Sequence, residues 1–259
     1  MWRCPRETRY EYAKTNRFKA IVRSSPITLG GPVCYVSYAV KMRIGNIDDT
    51  LELKGKRVLD LGCGNGCYTA ELARRAAYVC GVDIQMPRLE ELRQPIPGVQ
   101  GAGENLPFAS ENFDVVTVVE VLERTDCDRA VLKGCCRILK PGGLLVLFVP
   151  NKLYPFESHP CHLGGFAIGS NIPMVSWLLE ILRKHLCHAR IYTHKRVFSM
   201  AFGADFQGLK CGHILPPLDS FLLPFNESYR RAVRMLGNSP LTRCGVSIRA
   251  VFQKPRATV

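Results

Sequence analysis

The sequence predicts an α/β fold in which a mostly parallel sheet carries helices on both faces, and three observations support this. Apolar segments with the length of buried strands alternate with helical segments between residues 57 and 149. The first apolar segment runs directly into a loop with glycine at every second position, Gly62, Gly64 and Gly66. With 259 residues and 47% hydrophobic content, the chain can also bury one large core.

The predicted elements follow one another in a regular order. Strands are predicted near residues 57–62, 78–83, 99–103, 113–119 and 143–149, with helices between them. Residues 9–47 are predicted to form helices that precede this core. Thr193 is predicted to cap the start of a helix that ends at Gly203. Strand-like segments at 209–215 and 246–252 complete the sheet. Such alternation is typical of parallel strands joined by right-handed crossovers.

The glycine loop predicts a nucleoside-cofactor site at the carboxyl edge of the sheet. A dinucleotide fingerprint needs glycine three residues after Gly64, where this chain has Cys67, and the third glycine comes one residue early at Gly66. The tighter loop favours a compact ligand without a pyrophosphate, so a dinucleotide-dependent oxidoreductase is disfavoured. Asp60 offers an acceptor for a cationic amine. S-adenosylmethionine fits this description.

A second acidic residue strengthens the prediction of a nucleoside site. Asp83 ends the second strand segment, 17 residues beyond Gly66. A carboxylate at this place can accept hydrogen bonds from both ribose hydroxyls. Taken alone, an acid that ends a strand is more often the cap of the next helix. Together with the glycine loop, it favours cofactor binding.

Further motifs follow in the order that one large family shows. They occupy residues 104–108, 112–116, 118–123 and 137–143, before the apolar segment 144–150. With these motifs, residues 55–150 resemble the class I S-adenosylmethionine-dependent methyltransferases. The resemblance implies a methyltransferase enzyme that uses S-adenosyl-L-methionine. It also implies a Rossmann-like, seven-stranded, mostly parallel sheet with helices on both faces, the last strand antiparallel, extra N-terminal helices and an insertion after the fifth strand.

The resemblance also assigns roles to individual residues. Gly62 and Gly64 would line the methionine moiety, Asp83 would hold the ribose, Ile84 would cover one face of the adenine, and Glu120 would meet the amino-acid end. The edge of the adenine would lie against residues 103–106. The predicted cofactor-binding residues are therefore Asp60, Gly62, Gly64, Gly66, Asp83, Ile84, Gly103, Glu104, Leu106 and Glu120. Many relatives carry an aspartate at the position of Ala102, so here the contact to the adenine amine must come from another residue or be absent.

We expect one methyltransferase domain over residues 1–259. Its parts are an N-terminal helical lid (1–54), the cofactor-binding core (55–150), an acceptor-pocket insertion (151–192) and a C-terminal helix with strands (193–259). No run of about 18 apolar residues is present, and the first residues lack the apolar stretch of a signal peptide. We therefore expect a cytoplasmic protein.

The charge distribution bears on the acceptor. The net charge is +13, and the cofactor core is slightly acidic while both flanks are basic. Basic flanks admit an anionic acceptor, a nucleic acid or peripheral contact with an anionic membrane. The leading hypothesis is transfer to a small, hydrophobic or anionic molecule. RNA methylation is the alternative but is not favoured, since no separate RNA-binding module is evident. A cofactor-binding subunit without catalysis is a third hypothesis, and the sequence does not indicate the oligomeric state.

The histidines indicate where a catalytic base would lie. All six follow residue 158, and a base is needed when the acceptor is a phenol, an alcohol or an acidic carbon. His159 is the first candidate and His162 the second, because they follow the fifth strand at the carboxyl edge. A metal site and plain structural histidines are the alternatives. The Cys and His spacings around residues 159–162 and 185–188 are tighter than those of zinc sites, so no metal is predicted.

Residues 172–185 predict an apolar helix within the insertion. Its apolar residues favour the lining of a closed acceptor pocket between Phe166 and Leu182. A lid that contacts a membrane is the alternative, because Arg183 and Lys184 lie beside the apolar run.

Overall fold

A computed structural model describes residues 38–92, 96–163, 166–215 and 240–256. Most of the predicted N-terminal helical lid, residues 1–37, lies outside the described residues. The described helices are α1 (Tyr38–Asp48), α2 (Cys67–Ala73), α3 (Met86–Glu90), α4 (Asp128–Ile138), α5 (Glu180–Leu186) and α6 (His194–Phe202). None of them is long and apolar enough to cross a membrane.

Strands β1 to β5 alternate with helices as predicted, except that β4 follows β3 through turns and not through a helix. They are β1 (Arg57–Leu61), β2 (Tyr78–Asp83), β3 (Gly98–Gln100), β4 (Phe113–Val119) and β5 (Leu139–Pro150). Four short strands follow in the insertion, β6 (Phe156–Glu157), β7 (Cys161–Leu163), β8 (Phe166–Gly169) and β9 (Ile172–Pro173). The last two are β10 (Gln207–Ile214) and β11 (Ser247–Gln253).

The main sheet has seven strands in the order β3, β2, β1, β4, β5, β11, β10. Strands β1 to β5 pair in parallel, whereas β11 is antiparallel to both of its neighbours. The Rossmann-like fold with an antiparallel last strand is therefore confirmed. The strand order reverses between β1 and β4, so the loops that follow these strands diverge and leave a crevice at the carboxyl edge.

The core lies on both faces of the sheet, because neighbouring residues of a strand point to opposite sides. On one face, Leu59 belongs to a buried cluster with Val131 and Leu132 of α4. On the other face, Val58 belongs to a cluster with Ile44 of α1 and Leu72 of α2. The helices on the two faces thus hold the strand ends, and the loops that follow them, in fixed positions.

The predicted cap of α6 is confirmed. The Thr193 side chain accepts a hydrogen bond from the backbone N–H of Arg196, and the helix ends before Gly203. The helix closes the insertion and returns the chain to the sheet.

The insertion differs from its prediction. The prediction of a helix that starts at residue 172 is wrong, because Pro173 lies in β9, Met174 has a φ of 67°, and regular helix begins only at Glu180. The prediction that the apolar residues of this segment line a closed pocket is also wrong. Large apolar side chains of this segment are 50–80% exposed, namely Phe166, Met174, Trp177, Leu179, Ile181 and Leu182. The segment instead buries a small cluster of its own, built on Cys161, Val175 and Cys187.

Candidate functional site

The glycine loop after β1 depends on the absence of side chains. Gly62, Gly64 and Gly66 have φ values of 73°, 55° and 85°, a region that L side chains rarely adopt. A Cβ on Gly62 would lie 2.2 Å from Cγ2 of Val121, which follows β4. The loop can therefore lie against the end of β4 only because glycine occupies these positions.

Asp83 holds the glycine loop at the end of β2. Its two carboxylate oxygens accept hydrogen bonds from the backbone N–H groups of Gly64 (2.9 Å) and Gln85 (2.8 Å). Each oxygen keeps a second lone pair, so the carboxylate can still accept from ribose hydroxyls. Ile84 lies next to it and is 44% exposed, as the predicted contact with an adenine face requires.

The Asp60 side chain is buried and bonded to neighbouring side chains, and it is not exposed at the surface of the predicted cofactor site. It is buried and accepts hydrogen bonds from the hydroxyls of Thr69 (2.7 Å) and Thr117 (3.0 Å). Burial raises the pKa of the Asp60 carboxyl to about 6, against the lowering effect of the two hydroxyls. These contacts join α2 to β1 and β4. A direct contact with the cofactor amine stays a prediction.

The residues that are predicted to contact the edge of the adenine have structural roles in the fold. Gly103 and Leu106 are buried, and Leu106 belongs to the main core cluster. The Glu104 carboxylate accepts from the backbone N–H groups of Asp126 and Cys127, immediately before α4. Glu104 therefore stabilises the start of α4, where a negative charge is favourable. Contacts of these three residues with adenine stay predictions.

Glu120 lies directly after β4 and faces two other elements. Its φ is 53°, which is uncommon for a residue other than glycine. Residues with such a backbone conformation cluster at functional sites. Its Oε1 atom accepts hydrogen bonds from Nη2 of Arg43 (2.8 Å) and Oγ of Ser247 (2.5 Å). Arg43, from α1, also donates to the Tyr68 hydroxyl (3.1 Å). These contacts bring α1, α2, β4 and β11 together at the amino-acid end of the predicted cofactor site.

Arg43 fits the proposed cofactor although the sequence prediction missed it. Its Nε atom is buried and has no hydrogen-bond partner among the described residues. A buried guanidinium N–H that remains unbonded is costly, and a ligand carboxylate would satisfy it. The available signal was a charged residue on the apolar face of α1, between Val40 and Ile47.

His159 reaches the same edge of the sheet from the insertion. The residue is 7% exposed, and its Nδ1 atom lies 2.8 Å from Oε1 of Glu157. Its Nε2 atom lies 3.9 Å from Oε1 of Glu123, in the short 3₁₀ turn after β4. Burial disfavours the imidazolium, but the hydrogen bond to Glu157 and the charge of Glu123 outweigh it and raise the pKa of His159.

Glu123 is the most unusual group of the site. It is 2% exposed, and neither carboxylate oxygen has a hydrogen-bond partner among the described residues. Burial, reinforced by the nearby charge of Glu120, raises the pKa of Glu123 to about 7. Ligand atoms of Glu120, Glu123 and His159 lie within 4.8 Å of one another, a separation that a divalent cation could bridge. That no metal binds here stays a prediction.

Glu123→Gln is expected to stabilise the protein above neutral pH. The pKa of Glu123 is about 7 in the folded state, against 4.5 for the ordinary group, so its ionisation penalises folding increasingly between these pH values and fully above them. We expect the variant to gain about 1 to 3 kcal/mol in free energy of unfolding at pH 8, with a gain that shrinks towards pH 4.5. Urea denaturation measures this. Lower stability of the variant at pH 8 would contradict the assignment, and Glu180→Gln on the surface is the control.

His162, the second candidate base, has different neighbours. It lies on β7, and its ring centroid is 6.4 Å from that of His188. The structure thus brings the two Cys and His groups of the insertion together, and Cys161 and Cys187 form a disulfide. A catalytic role for His162 stays a prediction, whereas His159 is the histidine that faces Glu123.

The sequence matches known methyltransferases. A family model described as a methyltransferase domain matches residues 59–147. The ubiquinone biosynthesis O-methyltransferase of Pseudomonas putida is 36% identical over 122 residues, which are 43% of this chain and 51% of that protein. The protein of the same name from Paracidovorax citrulli is 33% identical over 120 residues, with 43% and 50% of the two chains covered. The chain spans about half the length of the curated relatives it matches.

The fold is shared with a solved methyltransferase structure over a longer range. The S-adenosylmethionine-dependent methyltransferase from Mesorhizobium loti has a TM-score of 0.57 at 18% identity, with 83% of this chain and 95% of that chain covered. The structural likeness supports the fold. Residues 59–147 of this chain are similar in sequence to known methyltransferase domains.

Proposed function

We propose that this protein transfers the methyl group of S-adenosylmethionine to a hydroxyl oxygen of a small-molecule acceptor. The observation that carries the proposal is the position of His159, a buried histidine at the carboxyl edge of the sheet with Nε2 directed towards the end of β4. An oxygen acceptor is supported by the relatives, which are O-methyltransferases by name. Weak oxygen nucleophiles are also the acceptors that need a base.

The chain's own residues suit the cofactor. The glycine loop lets the backbone approach a ligand, and Asp83 offers lone pairs to ribose hydroxyls. The Nε atom of Arg43, which has no hydrogen-bond partner among the described residues, suits a carboxylate. When bound, S-adenosylmethionine supplies an electrophilic methyl group on a sulfonium that leaves as a neutral thioether. The protein then has to align the acceptor oxygen with this group and remove its proton.

His159 is the proposed proton acceptor. The acceptor oxygen forms the new bond to the methyl carbon, the carbon–sulfur bond breaks, sulfur keeps the electron pair, and the hydroxyl proton goes to Nε2 of His159. The raised pKa makes the neutral imidazole a stronger base but leaves less of it neutral near pH 7. Glu123 and Glu120 then stabilise the imidazolium that forms.

The proposal also covers the partners and the location of the protein. A small molecule is the partner that the O-methyltransferase names of the relatives support. The basic flanks suit an anionic or phenolic acceptor, and nucleic acid and a membrane surface remain the alternatives. We also propose a cytoplasmic location, which the unpaired buried thiols of Cys63, Cys80 and Cys135 support and which the Cys161–Cys187 disulfide does not.

A methylation assay tests the proposal. Tritiated S-adenosylmethionine is incubated with the full chain and, in separate reactions, with catechols and other phenols, a metabolite extract and total RNA. We expect label in an alkali-stable methyl ether of a small molecule, with and without a metal chelator. Label only in the RNA would contradict the proposed acceptor class. Loss of activity with chelator, restored by a divalent cation, would make His159 a metal ligand and contradict its role as a base.

A further inference from the structure

We infer that Glu157 and Arg183 are positioning residues, which hold the His159 ring so that Nε2 is the atom presented to the reaction site. The inference rests on the proposed function, because it states how the proposed base is oriented. The two residues form a buried ion pair in the insertion, and neither is among the residues predicted to bind the cofactor.

The contacts form a chain from the helix α5 to the histidine. The Glu157 carboxylate is 1% exposed and accepts hydrogen bonds on Oε1 from Nδ1 of His159 (2.8 Å) and from its backbone N–H (3.3 Å). Its Oε2 atom accepts from Nη1 of Arg183 (3.1 Å), which is 3% exposed. Arg183 in turn donates through Nη2 to the carbonyl oxygen of Ala189 (2.5 Å). Both charged side chains of the pair therefore have hydrogen-bond partners besides each other.

This arrangement fixes the ring in two ways. A carboxylate can only accept, so the proton of the neutral imidazole stays on Nδ1 and Nε2 keeps a free lone pair. The second bond, from the backbone N–H of His159, fixes Glu157 relative to the same residue. The free lone pair then points towards Glu123, which lies 3.9 Å from Nε2.

Charged groups from several elements face this histidine. Glu157 acts from its own loop, Glu123 and Glu120 act from the end of β4, Arg183 from α5 reaches it through Glu157, and Arg124 lies beside Glu123 at 3.6 Å. The two carboxylates after β4 accept no hydrogen bond from His159. Among the residues that the structure describes, Glu157 is the one whose side chain contacts the ring closely enough to select its tautomer and orientation.

A covalent link reinforces the same connection. Cys161 follows His159 by two residues and forms a disulfide with Cys187, which directly follows α5. The loop that carries the histidine is therefore tied to the end of the helix that carries Arg183. Buried ion pairs cost desolvation free energy and are often replaced by apolar residues without loss of stability. Since such a pair adds little stability, its contact with His159 points to a role in orienting the histidine.

The test replaces both charges by leucine, in Glu157→Leu/Arg183→Leu, so that no charge remains unpaired in the interior. The matched control is Glu180→Leu/Lys184→Leu, which removes an exposed ion pair of the same helix. Two-bond ¹H–¹⁵N correlation spectra of the full chain, recorded at a pH above the raised pKa of His159 so that the imidazole is neutral, report its tautomer. The signals are assigned by their loss in His159→Ala. We expect the Nδ1–H form in the native protein and in the control, and a substantial Nε2–H population in the double variant.

Kinetics give the second measurement. We expect the double variant to lose roughly 10- to 100-fold in kcat, with KM for the acceptor and affinity for S-adenosylhomocysteine changed less than twofold. A native spectrum and native kcat in a folded double variant would overturn the inference. Because the tautomer is measured without turnover, it still tests the positioning role if the proposed reaction fails.

A milder variant protects the test against a folding failure. Glu157→Gln keeps an acceptor oxygen but removes the negative charge next to Nδ1. We expect His159 to titrate at lower pH in this variant than in the native protein, because the hydrogen-bonded charge that favours the imidazolium is gone. An unchanged titration of His159 would overturn the inference.

Discussion

His159→Ala is expected to lower kcat by about 100- to 10,000-fold, because removal of a general base has an effect of this size. Affinity for S-adenosylhomocysteine should not change, since the residue lies in the insertion and not in the glycine loop. The native enzyme should gain activity as pH rises through a value above 6.5, as the raised pKa of His159 requires. Initial rates between pH 6 and 9 measure both effects.

The matched control is His185→Ala, which removes an exposed histidine near the end of α5. It should retain native kcat at every pH. Full activity of His159→Ala across the same range would show that alignment alone suffices and that His159 has only a structural role.

Asp83→Ala is expected to weaken the binding of S-adenosylmethionine and S-adenosylhomocysteine by about 2 to 4 kcal/mol, or roughly 30- to 1,000-fold. Two causes add. The variant loses the acceptor for ribose hydroxyls, and it releases the Gly64 N–H that the carboxylate holds at 2.9 Å. Isothermal titration calorimetry measures the affinity, and circular dichroism confirms that the variant is folded.

Asp114→Ala is the control for this substitution. Asp114 also accepts a backbone hydrogen bond and pairs with Lys140 at 2.8 Å, but it lies near the start of β4, away from the carboxyl edge. Its removal should lower stability slightly and leave cofactor affinity unchanged. Native affinity in Asp83→Ala would show that Asp83 acts only in the loop and not on the ribose.

The core of the fold could be predicted because its signals are local. The strands at 57–61, 78–83 and 113–119 are short apolar segments bounded by turns, and the structure places each within a residue of its prediction. Gly62 and Asp83 could be identified because a tight loop and an acid at a strand end follow from local spacing. Thr193 is a further local signal, since a cap acts within three residues.

The insertion could not be predicted in the same way. Apolar residues between 172 and 182 suggested a buried helix, but Pro173 and the positive φ of Met174 interrupt it and leave Trp177 and Leu179 exposed. The periodicity of apolar residues in the sequence does not show whether another element packs against the apolar face that they form.

The contacts of the site depend on long-range packing. Arg43 meets Glu120 across 77 residues of sequence, and Arg183 meets Glu157 across 26. Glu123 showed no local feature that separates it from a surface carboxylate. Its burial without a hydrogen-bond partner among the described residues depends on tertiary packing, in which His159 of the insertion lies 3.9 Å from Glu123.

Calorimetric titration of the full chain with S-adenosylhomocysteine tests the central claim most directly. The glycine loop, Asp83 and the Nε atom of Arg43, which has no partner within the described part of the chain, predict saturable binding of one ligand per chain. Asp83→Ala should weaken this binding strongly, and Asp114→Ala should not. The absence of binding at millimolar ligand, with binding of a nicotinamide dinucleotide instead, would contradict the assignment of the whole cofactor site.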